Sequence, residues 1–228
     1  MAPSENPSKP LSDTRRSVLE RVKLNQPTTI EELAAAMGLS YETARHHLSQ
    51  FESAGWVTKS LHHDRQVGRP EGAYRLTGAG EHLFAKAYDQ LAVAMIDAME
   101  SLHGAAAVRG LLAHIADAKV EALGPTVKGA SLQDRLRVLK DVYQADDPFS
   151  RVIQTDGDPI IEERNCPFLS VALQRPALCS LTVSVMSRLL GYKVKREASF
   201  QAGDGCCRFR VQLDKPIDPE FRFELESA

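Results

Sequence analysis

The side chains with the most reactive chemistry in this 228-residue chain are four cysteines, and all of them fall in its last third. Cys166 opens and Cys179 closes the stretch "NCPFLSVALQRPALC"; Cys206 and Cys207 stand side by side in "GDGCCRF". Three roles are open to them: small buried fillers, a disulfide framework, or ligands of a metal centre. The N-terminus, "MAPSENPSKPLSDTRRS", has no apolar stretch of the secretory kind. Nowhere do about 18 apolar residues run together, so no spanning helix is expected. A cytosolic location is the default, and in that reducing setting clustered thiols favour metal or redox chemistry over disulfides. Cys166 precedes Pro167 at a predicted helix start, and Cys179 falls in the first turn of a helix predicted from Pro176. Both settings, with Arg164 and Arg175 nearby, are expected to lower a thiol pKa. The vicinal pair divides differently. In a strand, neighbours face opposite ways, so Cys207 shares a face with Phe209, Val211 and Leu213, and Cys206 with Arg208, Arg210 and Gln212. Cys207 is therefore the expected inner ligand, and Cys206 a bystander or exchange partner. Gly203 and Gly205 would allow the turn close to an inorganic centre. Zinc stays open, since three thiolates and one other ligand complete a tetrahedron, although no CxxC pair is present.

The elements that must position these groups are legible as periodic patterns. Val18, Leu19 and Val22 mark a first helix capped by Ser12 or Asp13. "TTIEELAAAMG" reads as a second, capped by Thr28 or Thr29, with Ile30, Leu33, Ala34 and Met37 as its apolar face and Gly38 as its stop. "YETARHHLSQFESAG" is a third, capped by Ser40, with Ala44, Leu48 and Phe51 inward. "WVTKSLHH" and "AYRLT" alternate as strands around the turn-rich "DRQVGRPEG". Residues 78–102 are expected to form one long helix whose wide apolar face needs a partner. Two more helices fill 105–145. "RVIQT" and "PIIEE" form a hairpin about "DGD". "PFLSVALQ" and "PALCSLTVSVMSRLLG" read as helices, and "YKVKREASF" and "CCRFRVQL" as closing strands.

A net charge of −2 excludes a generally basic coat but not a local basic patch. The second and third helices, joined by a tight glycine turn, have the helix-turn-helix arrangement, in which the later helix enters the major groove of DNA. Its leading residues are Ser40, Tyr41, Glu42, Thr43, Arg45 and His46. Thr43 and Arg45 suit bases or phosphates, and Tyr41 a phosphate or a thymine methyl. Arg65 and Arg69 in the hairpin would bring cations to backbone or minor groove. Residues 28–91 resemble winged-helix bacterial regulators of the ArsR and DeoR-like kind. One such head reads about half a site, so a homodimer on a palindromic double-stranded operator is the usual solution; the 78–102 helix is the candidate seam.

With that head in place, "GRPEGAYRLTGAGEHLFAKAYDQLA", "NCPF", "RPALC" and "GDGCCRF" together resemble the SufR-type repressors of iron–sulfur cluster biogenesis. The resemblance implies a dimeric repressor whose C-terminal region carries a [4Fe–4S] or [2Fe–2S] cluster on Cys166, Cys179 and Cys207, with Cys206 as an alternative ligand. Operator affinity would follow cluster state. The chain departs from that family in having no further cysteine between 180 and 205; Lys193 stands near the expected place. Phe200 replaces a histidine expected before the "GD" turn. A non-cysteine ligand or an open position is then expected, with His103 and His114 as candidates.

The expected architecture is α+β: a tail at 1–10, a winged helix at 11–77, a linking and dimerisation helix at 78–102, and a cluster-binding sensor domain at 103–228. Two other readings stand beside it: a regulator whose C-terminal domain senses an organic effector, zinc or thiol redox state, and a thiol enzyme using Cys206 and Cys207. No Cys/His pair at catalytic spacing and no phosphate-cradling loop supports the enzyme.

Overall fold

A computed structural model describes residues 11–62, 71–129, 131–145, 147–154 and 157–226. The chain divides into two units, Met1–Lys86 and Ala87–Ala228. The expected tail and the hairpin tip, with Arg65 and Arg69, lie outside the described residues.

In the first unit, helix α1 (Asp13–Asn25) is capped by Ser12, whose hydroxyl accepts the amide of Arg15. A two-residue strand β1 (Thr28–Thr29) precedes α2 (Ile30–Met37). Thr29 and Glu32 form a reciprocal cap: the Thr29 hydroxyl accepts the Glu32 amide at 3.2 Å, and the Glu32 carboxylate accepts the Thr29 amide at 2.8 Å. Gly38, at φ +65°, closes α2 in the left-handed region. Helix α3 (Tyr41–Ser53) follows, then strands β2 (Val57–His62) and β3 (Glu71–Leu76). The sheet order is β1-β3-β2, all antiparallel. Val18, Leu19, Leu33, Ala44, Leu48 and Phe51 are wholly buried in one core. The helices thus form because their apolar stripes close on one another over a small sheet.

The single helix expected over 78–102 is not formed. A one-turn helix α4 (Gly78–Glu81) is followed by a break, and α5 runs from Tyr88 to His103. The reason lies in packing. A Cβ at Gly80 would run into the carbonyl of Trp56, so the first turn is pressed against the β2 entry. Glu81 is held by Lys23 at 2.6 Å and Lys86 at 3.0 Å. Leu83 and Phe84 pack on the first core, whereas Ile96 and Met99 pack on the second. The expected stripe is thus divided: its start serves the first core, while Leu91, Met95 and Leu102 on α5 stay exposed.

In the second unit, α5 leads to α6 (Ala105–Leu123) and α7 (Leu132–Tyr143). The strands β4 (Arg151–Ile153), β5 (Ile160–Glu163), β6 (Tyr192–Ala198) and β7 (Cys207–Pro216) make an antiparallel sheet in the order β4-β5-β7-β6. Between β5 and β6 lie a short helix α8 (Leu169–Ala172), a 3-10 turn at Pro176–Cys179, and α9 (Ser180–Leu190). Helix α9 is almost wholly buried, and Val185, Met186 and Leu190 meet Leu112, Leu136, Phe209 and Val211 in the core. The whole is α+β, as its patterns indicate. Among the described residues no helix is long and apolar enough to cross a membrane.

Candidate functional site

Two places carry chemistry, one in each unit. At the first, Ser40 caps α3: its hydroxyl accepts the Thr43 amide at 3.1 Å and lies 2.8 Å from the Thr43 hydroxyl. The cap fixes the end of the helix that would meet a groove, leaving Tyr41 47 % exposed. Arg45 is exposed but engaged: its guanidinium pairs with Glu42 at 2.7 Å. His46 shares a hydrogen bond with Gln50 at 2.9 Å. Its neighbour His47 turns toward the core and stacks on Phe51. Burial, then the charges of His46 and Arg15, lower the His47 pKa below that of a free histidine. Ser40, Tyr41, Thr43, Arg45 and His46 therefore share the leading turns of one helix.

The second place gathers residues distant in sequence. Asp147, 2 % exposed, ties down the strand exit: its carboxylate accepts the amides of Arg164 at 2.6 Å, Asn165 at 3.0 Å and Phe149 at 2.9 Å. That fixes the chain just before Cys166. Cys179 ends the 3-10 turn, where the side-chain amide of Gln201 donates to its sulfur at 3.3 Å and Arg196 donates to its carbonyl at 2.7 Å. Gln201 comes from the β6–β7 turn, which Gly203 closes at φ +86°. Cys207 is 8 % exposed on the core face, beside Phe209 and Val211. The expected alternation lapses at Leu213, where β7 runs past the core and the side chain is exposed. Cys206 is also buried, but its charge is felt by Arg208, on the opposite side from the core.

Cys166 lies close enough to Cys179 and to Cys207 for their charges to act on one another. The electrostatics nevertheless correct the expectation of an acidic thiol at Cys166. Burial pushes the Cys166 thiol up, with the Glu163 and Cys179 charges adding to it and the Phe168 amide opposing. Burial pushes Cys207 up to about 11, against a hydrogen bond from the Phe200 amide and the charge of Arg196. The cations assigned to the thiols are spent elsewhere: Arg164 on Glu162, and Arg175 on Asp97. The helix behind Cys166 is also short and displaced, since α8 has four residues and begins three after it, whereas Cys179 stands at the N-cap of α9. Among the described residues no three His, Cys, Asp or Glu side chains form a grip for a single metal ion.

Three residues at this place escaped the sequence reading. Glu163 is 7 % exposed, and burial followed by the charge of Asp147 pushes its carboxyl up to about 7, against the pull of Arg196 and Lys119. Arg196 and Gln201 are the others. Only Glu163 left a signal: its period-two relation to Ile161 sets a carboxylate on an apolar face. Beside Cys166 opens a cavity of about 240 Å3, lined among others by Glu163, Lys119, Phe168, Leu181 and Val185.

No curated protein and no solved structure gives a significant match to the chain. Residues 11–58 match the family described as winged helix-turn-helix DNA-binding. That span ends just inside β2, so it covers the helices and the entry to the hairpin. The first unit is a winged helix-turn-helix DNA-binding domain, and the chain that carries it is a DNA-binding transcriptional regulator acting on double-stranded DNA.

Proposed function

We propose that this regulator is a dimeric cytoplasmic repressor of iron–sulfur cluster assembly genes, and that its operator affinity depends on a cluster held by Cys166, Cys179 and Cys207. What supports the reading is that Cys166 lies within reach of the charges of both Cys179 and Cys207, each from a separate element. The donor set fits an anionic cluster. Amides of Phe168 and Phe200 donate toward two of the sulfurs, Gln201 toward the third, and Arg196 acts on the same region. A cluster takes its protein ligands on separate irons, so they stand farther apart than the ligands of a single ion. When bound, it supplies a crosslink sensitive to oxidants between the β5–α8 connection, the 3-10 turn and β7.

The protein's part is to transmit that crosslink. Arg175, four residues before Cys179, makes a two-pronged ion pair with Asp97 on α5. Ordering the Cys179 turn therefore steadies α5. On α5, Tyr88, Leu91, Met95 and Leu102 are 59–75 % exposed. Their spacing supports a seam for a second copy. A coupling of about 1–3 kcal/mol between centre and operator, some 5- to 150-fold, would suffice for control. The test is to purify the chain without oxygen, measure iron and sulfide, and titrate selected DNA with loaded and stripped protein. Tighter binding by the loaded form is expected; equal binding would refute the coupling.

A second reading, control by an organic effector, is favoured by the largely apolar cavity at Cys166. Colourless protein without iron, whose DNA binding changes with a small molecule, would select it.

A further inference from the structure

Strand β5 carries two adjacent glutamates with opposite surroundings. The Glu162 carboxylate is met by Arg151, Arg164 and Arg208 at 2.8–2.9 Å. Glu163, one residue on, must face the other side of the sheet. There Ile161, Phe209 and Val211 are buried. Glu163 is 7 % exposed, and its Oε1 makes no hydrogen bond. A buried carboxylate with an unmade bond is costly and needs a reason.

The reason is found in what stands around it. Its partner across the β5–β7 ladder is Cys207, which sets the two Cβ atoms about 5 Å apart on one face. It lines the same cavity as Cys166. Its charge reaches both thiols, and the charges of Arg196 and Lys119 reach it in turn. Neither cation bonds the Glu163 Oε1: Arg196 pairs with Glu226 at 2.6 Å and donates to the Cys179 carbonyl, and Lys119 lies over the Phe168 ring.

We propose that Glu163 is the fourth, non-cysteine ligand of the centre held by Cys166, Cys179 and Cys207. This inference rests on the cluster reading above. It accounts for a chain with three suitably placed thiols and no fourth, and for a carboxylate kept on an apolar face. A carboxylate oxygen is a harder donor than a thiolate. The iron it holds is therefore the one that exchanges most readily, which localises the sensitivity of the centre to the Glu163 side.

The test uses the full chain and its Glu163→Gln and Glu163→Cys variants, reconstituted without oxygen from ferrous iron and sulfide. Iron and sulfide content, electron paramagnetic resonance after reduction, and the rate of iron transfer to a ferrous chelator are read for each. Glu163→Gln is expected to lose iron about tenfold faster than the parent, the lower end for weakened metal sites, with altered resonance. Glu163→Cys is expected to retain iron again, with stronger sulfur-to-iron absorption. Melting of the unloaded variants separates a folding defect from a ligand defect. If the parent loads and Glu163→Gln matches it in resonance and iron release, Glu163 is not a ligand and the three-thiol centre stands. If the parent takes up neither iron nor sulfide, both readings fall.

Discussion

Glu42→Gln is expected to tighten operator binding. In the free protein Arg45, the side chain best suited to read guanine, is paired with Glu42 three residues before it, at 2.7 Å. To reach a base the guanidinium must leave that carboxylate, so the pair's energy is subtracted from binding. The side chains are 60 % and 70 % exposed, which places the pair with solvent-screened ion pairs of about 0.2–1 kcal/mol. In a dimer the penalty is met at both heads, about 0.4–2 kcal/mol in all, or roughly 2- to 30-fold in affinity. Removing an anion from a surface that faces phosphates acts in the same direction. The assay is a double-mutant cycle by fluorescence anisotropy at fixed salt, with Arg45→Ala as the second change. Arg45→Ala alone should cost about 1–3 kcal/mol per half-site if a bidentate base contact is lost, and Glu42→Gln should help less in its absence. Weaker binding by Glu42→Gln would refute this picture, because it would mean that Glu42 itself contacts a base.

Other outcomes follow from single places in the fold. Hydrogen bonds from Lys23 and Lys86 hold the Glu81 carboxyl down to about 2, below its ordinary 4.5. A depressed acid stabilises the fold above its unfolded pKa and loses that contribution as pH falls through the folded one. Acid unfolding followed by circular dichroism should therefore show parent and Glu81→Gln converging between about pH 4.5 and 2. Phe51 is fully buried against His47 and Trp56. Phe51→Ala should cost about 3–5 kcal/mol and abolish DNA binding, checked by denaturant melts and anisotropy. Glu162→Ala strips three arginines of a shared acceptor and should cost about 2–3 kcal/mol; urea titration reads it. Asp97→Asn should leave the melting of stripped protein little changed, as for a solvent-screened pair, yet shrink the ratio of loaded to stripped operator affinity.

Much of the fold was legible because its signals are local. Ser40 before Tyr41, Thr29 three residues before Glu32, and Gly38 after Met37 are caps that need no tertiary knowledge. The alternation that assigned Cys207 to the core face is equally local. The break at 82–87 was not legible, since Leu83, Phe84, Ile96 and Met99 are all apolar at helical spacing. Only packing reveals that they serve different cores. The acidity expected of Cys166 failed for a related reason. Arg164 and Arg175 are near in sequence, but their guanidinium groups meet Glu162 and Asp97. Glu163 was overlooked because a glutamate beside another in a strand reads as solvated until its ladder partner is known to be Cys207.

The most direct measurement is operator affinity of anaerobically loaded parent protein beside the Cys166→Ser, Cys179→Ser and Cys207→Ser variants. Each serine variant is expected to lose the visible cluster absorption and to bind DNA like stripped parent, about 5- to 150-fold more weakly than loaded parent. A variant that keeps the full spectrum and the loaded affinity would contradict the three-thiol centre.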